Sequence, residues 1–154
     1  MHTLFGNLDS GNVHKVQMIL TTIGELYRRV DVAQTKNEPR DEQFLAINPM
    51  GKVPAVLRQD GRVMTESGAI LYYFAQGTSL WPGDADLRAE VLRWMFFEQY
   101  SHEPTLAVMR YLRHFADDPA AHTERVADLE PKGRHALSVM ESRLKRKEWL
   151  AADA

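Results

Sequence analysis

Apolar residues recur with two different periods along this chain of 154 residues. In its first half, the short apolar runs Thr3–Phe5 and Tyr27–Val32 are typical of strands. Between them the apolar residues of Asn12–Ile23 recur every three or four positions, which predicts a helix, and Gly24 is a suitable stop. The chain therefore opens with a strand, a helix and a second strand.

A hairpin and a second helix are predicted next. The pattern predicts two strands, Pro54–Leu57 and Arg62–Thr65, on either side of a turn at Asp60–Gly61. It then predicts a helix over Ser67–Ala75. The polar, proline-containing stretch Ala33–Asp41 is predicted to be a surface loop. The predicted order is βαβ followed by ββα.

The second half of the chain has the period of long helices. After the turn residues Pro82–Gly83, either Asp84 or Asp86 can serve as N-cap, and the apolar positions of Leu87–Met95 form one stripe. We therefore predict an α/β domain over residues 1–80 and an all-helical domain over residues 81–154.

Prolines should interrupt these helices. Pro104 is predicted to kink or divide the first long helix, and Asp117–Pro119 to end it. Pro131 leaves two alternatives open: a kink within one helix, or the first turn of a fresh helix over Lys132–Lys147.

Composition excludes several classes of function. There is no cysteine, so the chain has no disulfide, no thiolate metal site and no redox dithiol of its own. The formal net charge of −2 has no basic half, and the six histidines lack metal-ligand spacing, which argues against a nucleic-acid partner and a bound metal. Since no signal peptide or membrane-spanning run is evident, we expect a cytoplasmic protein without a membrane partner.

Two segments together predict a binding site for a small peptide. In Asn48–Pro54, with sequence NPMGKVP, Pro54 begins an apolar strand, and a cis bond before it would leave the Val53 main chain free to pair with an extended ligand. Twelve residues later, Glu66–Ser67 opens a helix, whose unpaired N–H groups and positive dipole end attract a carboxylate. Ser67 can add a hydroxyl donor, and Glu66 an anion for an ammonium group.

These residues resemble the glutathione-binding half of the glutathione S-transferase family, whose thioredoxin-like first domain carries a cis-proline strand and then a Glu-Ser pair. Further motifs of the resemblance are Leu4–Val16, Phe44–Pro49 and Trp81–Asp84. The resemblance covers essentially the whole chain, with its specific motifs between residues 4 and 83. It implies a thioredoxin-like α/β domain followed by a helical domain.

The resemblance also implies a serine-type catalytic site. Ser10, between the first strand and the first helix, would stabilise the glutathione thiolate, with Asn12 as the competing donor. A cysteine thiol titrates near pH ~8.5, and lowering its pKa by two units requires about 2.7 kcal/mol of preferential thiolate stabilisation. One charge-assisted hydrogen bond together with the helix dipole is of that order. A role for Ser10 as helix cap is the structural alternative.

Binding of glutathione would use Val53, Pro54, Glu66 and Ser67, and the resemblance adds two basic residues. Lys52 would pair with the glycine carboxylate, and Arg40 occupies a position where the family often has a basic contact. A solvated surface position is the alternative for both basic residues.

The predicted activity is conjugation of the glutathione thiolate to a small electrophile by a homodimer, without metal or prosthetic group. Glutathione-dependent isomerisation, peroxide reduction and a non-catalytic interaction module remain alternatives. The family's helical domain usually continues beyond the point where this chain ends at Ala154. Either the sequence covers only part of that domain, or the protein is a naturally shorter relative that covers its apolar helix faces by association. We favour the first, because an exposed core face would promote aggregation.

Overall fold

A computed structural model describes residues 1–32 and 42–151. The chain forms two compact units, Met1–Trp81 and Pro82–Ala154. The loop predicted over residues 33–41 lies outside the described residues.

The first unit has the predicted α/β architecture. Its elements in chain order are β1 His2–Phe5, α1 Gly11–Thr22, β2 Tyr27–Val30, α2 Glu42–Ile47, β3 Ala55–Leu57, β4 Val63–Thr65 and α3 Ser67–Ala75. The sequence pattern did not predict α2, because six residues are too few to establish a helical period. The thioredoxin-like fold class is confirmed.

The four strands form one mixed sheet in the order β2-β1-β3-β4. β1 pairs in parallel with β2 and antiparallel with β3, and β3 pairs antiparallel with β4. Leu4 lies at the centre, opposite Arg29 on one side and Val56 on the other. The central strand β1 therefore ends, at Phe5, between β2 and the start of β3.

The two faces of this sheet pack against different helices. On one face α1 and α3 cover a core whose fully buried members are Leu4, Val13, Val16, Leu20, Val56 and Ile70. On the other face α2 contributes Phe44, which packs with Val32 and Ala55. Successive strand residues point to opposite faces, so neighbours Ala55 and Val56 belong to different clusters.

The second unit is helical, as predicted. It contains α4 Ala85–Phe97, a π-helical segment Glu98–Ala107, α5 Val108–His114, a single 3-10 turn Ala120–His122 and α6 Thr123–Leu144. Asp84 is the N-cap of α4, where its Oδ1 accepts a hydrogen bond from the Leu87 N–H at 2.9 Å. No helix in the described residues is long and apolar enough to cross a membrane.

The prolines of this unit act in different ways. Pro104 lies in the π-helical segment between α4 and α5, and the backbone stays helical at both junctions, so Pro104 changes the hydrogen-bond pattern of the first long helix without ending it. That helix ends at His114, before Asp117, and α6 runs without interruption through Pro131. A fresh helix beginning at Lys132 does not form.

Candidate functional site

The end of β1 meets two other segments at Gly6. Gly6 has φ +144°, and a Cβ built on it would lie 2.3 Å from Val13 Cγ2 and 3.2 Å from Val53 Cβ. Its N–H donates to the Val30 carbonyl at 2.9 Å, and its carbonyl accepts from Arg29 Nη1 at 3.1 Å. Only a residue without a side chain allows α1 and the loop before β3 to approach the strand this closely.

Ser10 is the N-cap of α1. Its φ of −81° and ψ of 117° are extended, and its Oγ accepts a hydrogen bond from the Val13 N–H at 3.3 Å. Accepting this bond uses an oxygen lone pair and leaves the hydroxyl proton free to be donated. The capping role that was the alternative for Ser10 is therefore present, and it is compatible with donation to a ligand.

The start of α3 is arranged differently. Glu66 is its N-cap, with φ +63° and ψ 113°, and makes no side-chain capping bond. A non-glycine residue in this region of φ and ψ is strained, and such strain is often found at binding sites. The first N–H groups of α3 thus lack a side-chain cap and remain available to an anion.

The two helix N-termini are joined directly. Ser67, with 5% of its surface exposed, donates from Oγ to Asn12 Oδ1 at 3.4 Å, a long hydrogen bond. The Asn12 side-chain NH₂ has no hydrogen-bond partner among the described residues. Because both positive helix ends lie near this contact, one ligand with two separated anionic groups can interact with both helices.

The third part of the site precedes β3. The Val53–Pro54 peptide bond is cis, and Pro54 is buried. The Val53 main chain forms no hydrogen bond with another of the described residues, so its N–H and carbonyl can pair with an extended peptide. The Lys52 side chain is exposed. Arg40 lies outside the described residues.

The loop before Val53 is held by Asn48. Its side-chain Nδ2 donates to the Lys52 carbonyl at 2.7 Å, and its Oδ1 accepts from the Met50 N–H at 3.3 Å. The Asn48 carbonyl accepts from the Gly51 N–H at 2.7 Å. This loop therefore has a defined conformation before any ligand binds.

Together these groups are suited to a small peptide with anionic ends. They provide a free main chain for pairing, two open or partly open helix N-termini, hydroxyl and amide donors, and the carboxylate of Glu66. In residues 1–32 and 42–151 no group of three or more His, Asp and Glu side chains is placed to hold a metal ion.

Comparison with known proteins identifies the same family that the sequence motifs resemble. The family description "Glutathione S-transferase, N-terminal domain" matches residues 2–76. A glutathione S-transferase from Xanthobacter autotrophicus Py2 is 40% identical with a TM-score of 0.93, and the match covers 100% of this chain and 75% of that one. The chain belongs to the glutathione S-transferase family. A second such structure, from Pseudomonas fluorescens Pf-5, is 38% identical with a TM-score of 0.93, covering 99% of this chain and 76% of its own.

A different group of relatives comes from yeasts. Protein URE2 of Eremothecium gossypii is 32% identical over 99% of this chain and 45% of its own length. The Saccharomyces cerevisiae relative, named transcriptional regulator URE2, is 29% identical over 82% of this chain and 36% of its own. A structure of Ure2p in complex with glutathione is 26% identical with a TM-score of 0.85, covering 99% of this chain and 76% of that one. The chain thus spans less than half the length of these two curated URE2 relatives.

Sequence reasoning proposed roles for polar side chains at both helix starts but assigned no role to Gly6 or Asn48. Both lie inside the motifs that carried the resemblance. A glycine directly after an apolar strand signals close backbone approach, and an Asn-Pro pair signals a turn. The glycine signal does not identify which segments approach Gly6, and the Asn-Pro signal does not identify the carbonyl to which the Asn48 side chain donates.

The contact at Gly6 predicts a large effect of one added methyl group. Gly6→Ala should lower the free energy of unfolding by about 2 kcal/mol or more, because Cβ would collide with Val13 and the positive φ would be strained. The measurement is urea denaturation. Gly11→Ala is the matched control, because a Cβ at Gly11 would meet no atom within 4 Å. The free energy of unfolding of this variant should be equal to that of the wild type or slightly higher. Equal midpoints for the two variants would contradict the packing argument.

Proposed function

We propose that this protein binds glutathione and conjugates its thiolate to small electrophiles. The observation that carries the proposal is the contact between Asn12 and Ser67, at 3.4 Å, which brings the N-termini of α1 and α3 together. Glutathione is an extended peptide with a thiol in the middle and carboxylates at both ends. Such a ligand can place its sulfur near α1 while one terminal carboxylate lies at α3.

Each part of glutathione has a partner in this proposal. The α3 N–H groups, that of Ser67 among them, receive the γ-glutamyl carboxylate, and Glu66 pairs with the adjacent ammonium group. The Val53 main chain, held ahead of Pro54, pairs with the cysteinyl peptide group. Lys52 attracts the glycine carboxylate, and we assign Arg40 the same role.

Ser10 is the proposed thiolate donor. Its hydroxyl proton is not used by the capping bond with Val13, and it lies at the positive end of α1. Asn12 is the competing donor: its Oδ1 accepts from Ser67, which leaves the NH₂ group of the same amide available to sulfur. Both donors stabilise the anionic sulfur more than the neutral thiol, and both would therefore lower the thiol pKa.

The reaction follows from that ionisation. The thiol proton passes to solvent, and the sulfur lone pair forms a bond to an electrophilic carbon of the second substrate. The electron pair of the bond that breaks there leaves with the departing group. No metal or prosthetic group is required. Isomerisation or peroxide reduction would use the same thiolate with a different second substrate.

A non-catalytic binding module is the second candidate function. It is favoured by the URE2 relatives, one of which is named a transcriptional regulator, and by the structure of Ure2p in complex with glutathione. In that case glutathione would bind without a strong shift of its thiol pKa. For either function we propose a cytoplasmic homodimer that has neither nucleic acid nor membrane as a partner.

Ionisation of the bound thiol separates the two candidates. Across a pH series, the thiolate absorbance of glutathione bound to the wild-type protein should appear well below pH ~8.5. In Ser10→Ala the bound thiol pKa should rise by roughly one to two units, or about 1.4–2.7 kcal/mol, while glutathione affinity changes much less.

Asn12→Ala serves as the comparison variant. A pKa increase in Asn12→Ala as large as in Ser10→Ala would refute Ser10 as the single principal donor. Binding of glutathione by the wild-type protein without any pKa shift would instead support the binding module.

The strained cap of α3 predicts opposite effects on stability and binding. Glu66→Gly should leave the free energy of unfolding unchanged or raise it by up to about 1 kcal/mol, because glycine adopts positive φ without strain. Glutathione affinity should fall, since the carboxylate for the ammonium group is lost. Calorimetric titration and urea denaturation measure the two quantities. Glu66→Gln, which keeps the strained backbone, should bind glutathione more weakly without becoming more stable. A free energy of unfolding more than about 1 kcal/mol lower in Glu66→Gly than in the wild type would argue against strain at this position.

The homodimer is expected to use α3 and α4. Sedimentation should then give twice the chain mass of 17.6 kDa. Leu87, which is 36% exposed on α4, should be sensitive to charge: Leu87→Glu should favour monomers. Leu144→Glu, at a leucine of 43% exposure on α6, is the control and should leave the mass unchanged. A wild-type monomer at all concentrations would disprove the assignment.

A further inference from the structure

Asn48 connects the buried core of the first unit to the ligand-facing loop. Only 6% of its surface is exposed. Its N–H donates at 2.8 Å to the carbonyl of Phe44, a core residue of α2 that is 3% exposed. Asn48 therefore occupies a fixed position relative to the sheet.

From this position the Asn48 side chain forms hydrogen bonds with the main chain of the loop that leads to Val53. Oδ1 accepts from the Met50 N–H at 3.3 Å, and Nδ2 donates to the Lys52 carbonyl at 2.7 Å. Gly51, with φ +60°, makes the intervening turn possible. One side chain thus supplies an acceptor and a donor to main-chain groups two and four residues later.

The bond to the Lys52 carbonyl has a consequence for Val53. The Lys52–Val53 peptide is trans and planar, so its carbonyl and N–H point in opposite directions within one rigid unit. Fixing the direction of the Lys52 carbonyl therefore also fixes the direction of the Val53 N–H. That N–H has no hydrogen-bond partner among the described residues.

We propose that Asn48 is a positioning residue that aims the Val53 N–H at the peptide backbone of the ligand. This inference rests on the proposed function, because the ligand is glutathione. Asparagine suits the role since its short side chain carries both a donor and an acceptor. Aspartate would keep the acceptor for Met50 but place a carboxylate oxygen against the Lys52 carbonyl.

The test compares Asn48→Asp with Thr78→Ala. Thr78 also braces a main-chain turn of the first unit, donating from Oγ1 to the Ala75 carbonyl at 2.7 Å and accepting from the Leu80 N–H at 3.1 Å. Calorimetric titration should show glutathione bound about tenfold to a hundredfold more weakly by Asn48→Asp, and within about twofold of wild type by Thr78→Ala. Both variants should show lower urea midpoints.

Two further readouts distinguish positioning from general damage. At saturating glutathione, the bound thiol of Asn48→Asp should ionise as in the wild type, because Ser10 and Asn12 are unchanged. Without ligand, the Val53 amide should give one sharp ¹H–¹⁵N signal in the wild type and in Thr78→Ala, and a broadened or split signal in Asn48→Asp. Asn48→Ala, which loses both side-chain bonds, should weaken glutathione binding at least as much.

Specific outcomes overturn the proposal. Equal affinity losses in Asn48→Asp and Thr78→Ala would reduce Asn48 to a stability role, and an unchanged Val53 amide signal in Asn48→Asp would disprove the rigid-peptide argument. If the wild-type protein does not bind glutathione, the proposed function and the ligand-positioning role both fail. The Val53 signal would still decide whether Asn48 orders the loop, so the two failures are distinguishable.

Discussion

The candidate site depends on the close approach of three chain segments at Gly6. The end of the central strand, the first turns of α1 and the residue before the cis-proline come together where a Cβ would be 2.3 Å from Val13 Cγ2. Val13, in the helix that Ser10 caps, and Val53, before the cis-proline, both lie where a side chain on Gly6 would be. The spacing between the proposed thiolate donors and the proposed main-chain pairing segment is therefore set by a packing contact in the core and not by the loops themselves.

The difference between the two helix starts explains how one fold separates stability from binding. At α1 the orphan N–H of Val13 is satisfied by Ser10, so this helix has an internal cap. At α3 no side chain caps the first turn, and Glu66 is held at φ +63°. In a sequence optimised only for folding stability, we would expect a residue whose side chain caps the helix at the N-cap of α3. The uncapped and strained start is consistent with a site whose missing hydrogen bonds are completed by an anionic ligand.

The parts of the fold that could be predicted from the sequence are those that depend on local pattern. The apolar period of α1 and the turn residues at Asp60–Gly61 are signals that depend only on residues close in sequence. The helix and the hairpin that they predicted are both present. The short helix α2 was not predictable, because six residues do not establish a helical period. The sequence left open whether α6 continues through Pro131, because proline costs about 3 kcal/mol in a helix interior and only packing against the rest of the unit can offset that cost. Within the site, residue types indicated peptide chemistry, but the contact between Asn12 and Ser67 joins residues 55 positions apart. Such contacts follow from the sheet order, which no local pattern specifies.

Binding and ionisation of glutathione would use different groups in this site. In the proposed function the uncapped α3, Glu66 and the Val53 main chain would hold the ends and backbone of the peptide, whereas Ser10 and Asn12 would act on the sulfur. Losing a sulfur donor would then leave most of the binding free energy intact, since uniform binding and preferential thiolate stabilisation are separable contributions. A family with this division can give rise to enzymes and to regulators that still bind glutathione. We therefore expect the groups at the N-terminus of α1, and not the overall fold, to determine which of the two this protein is.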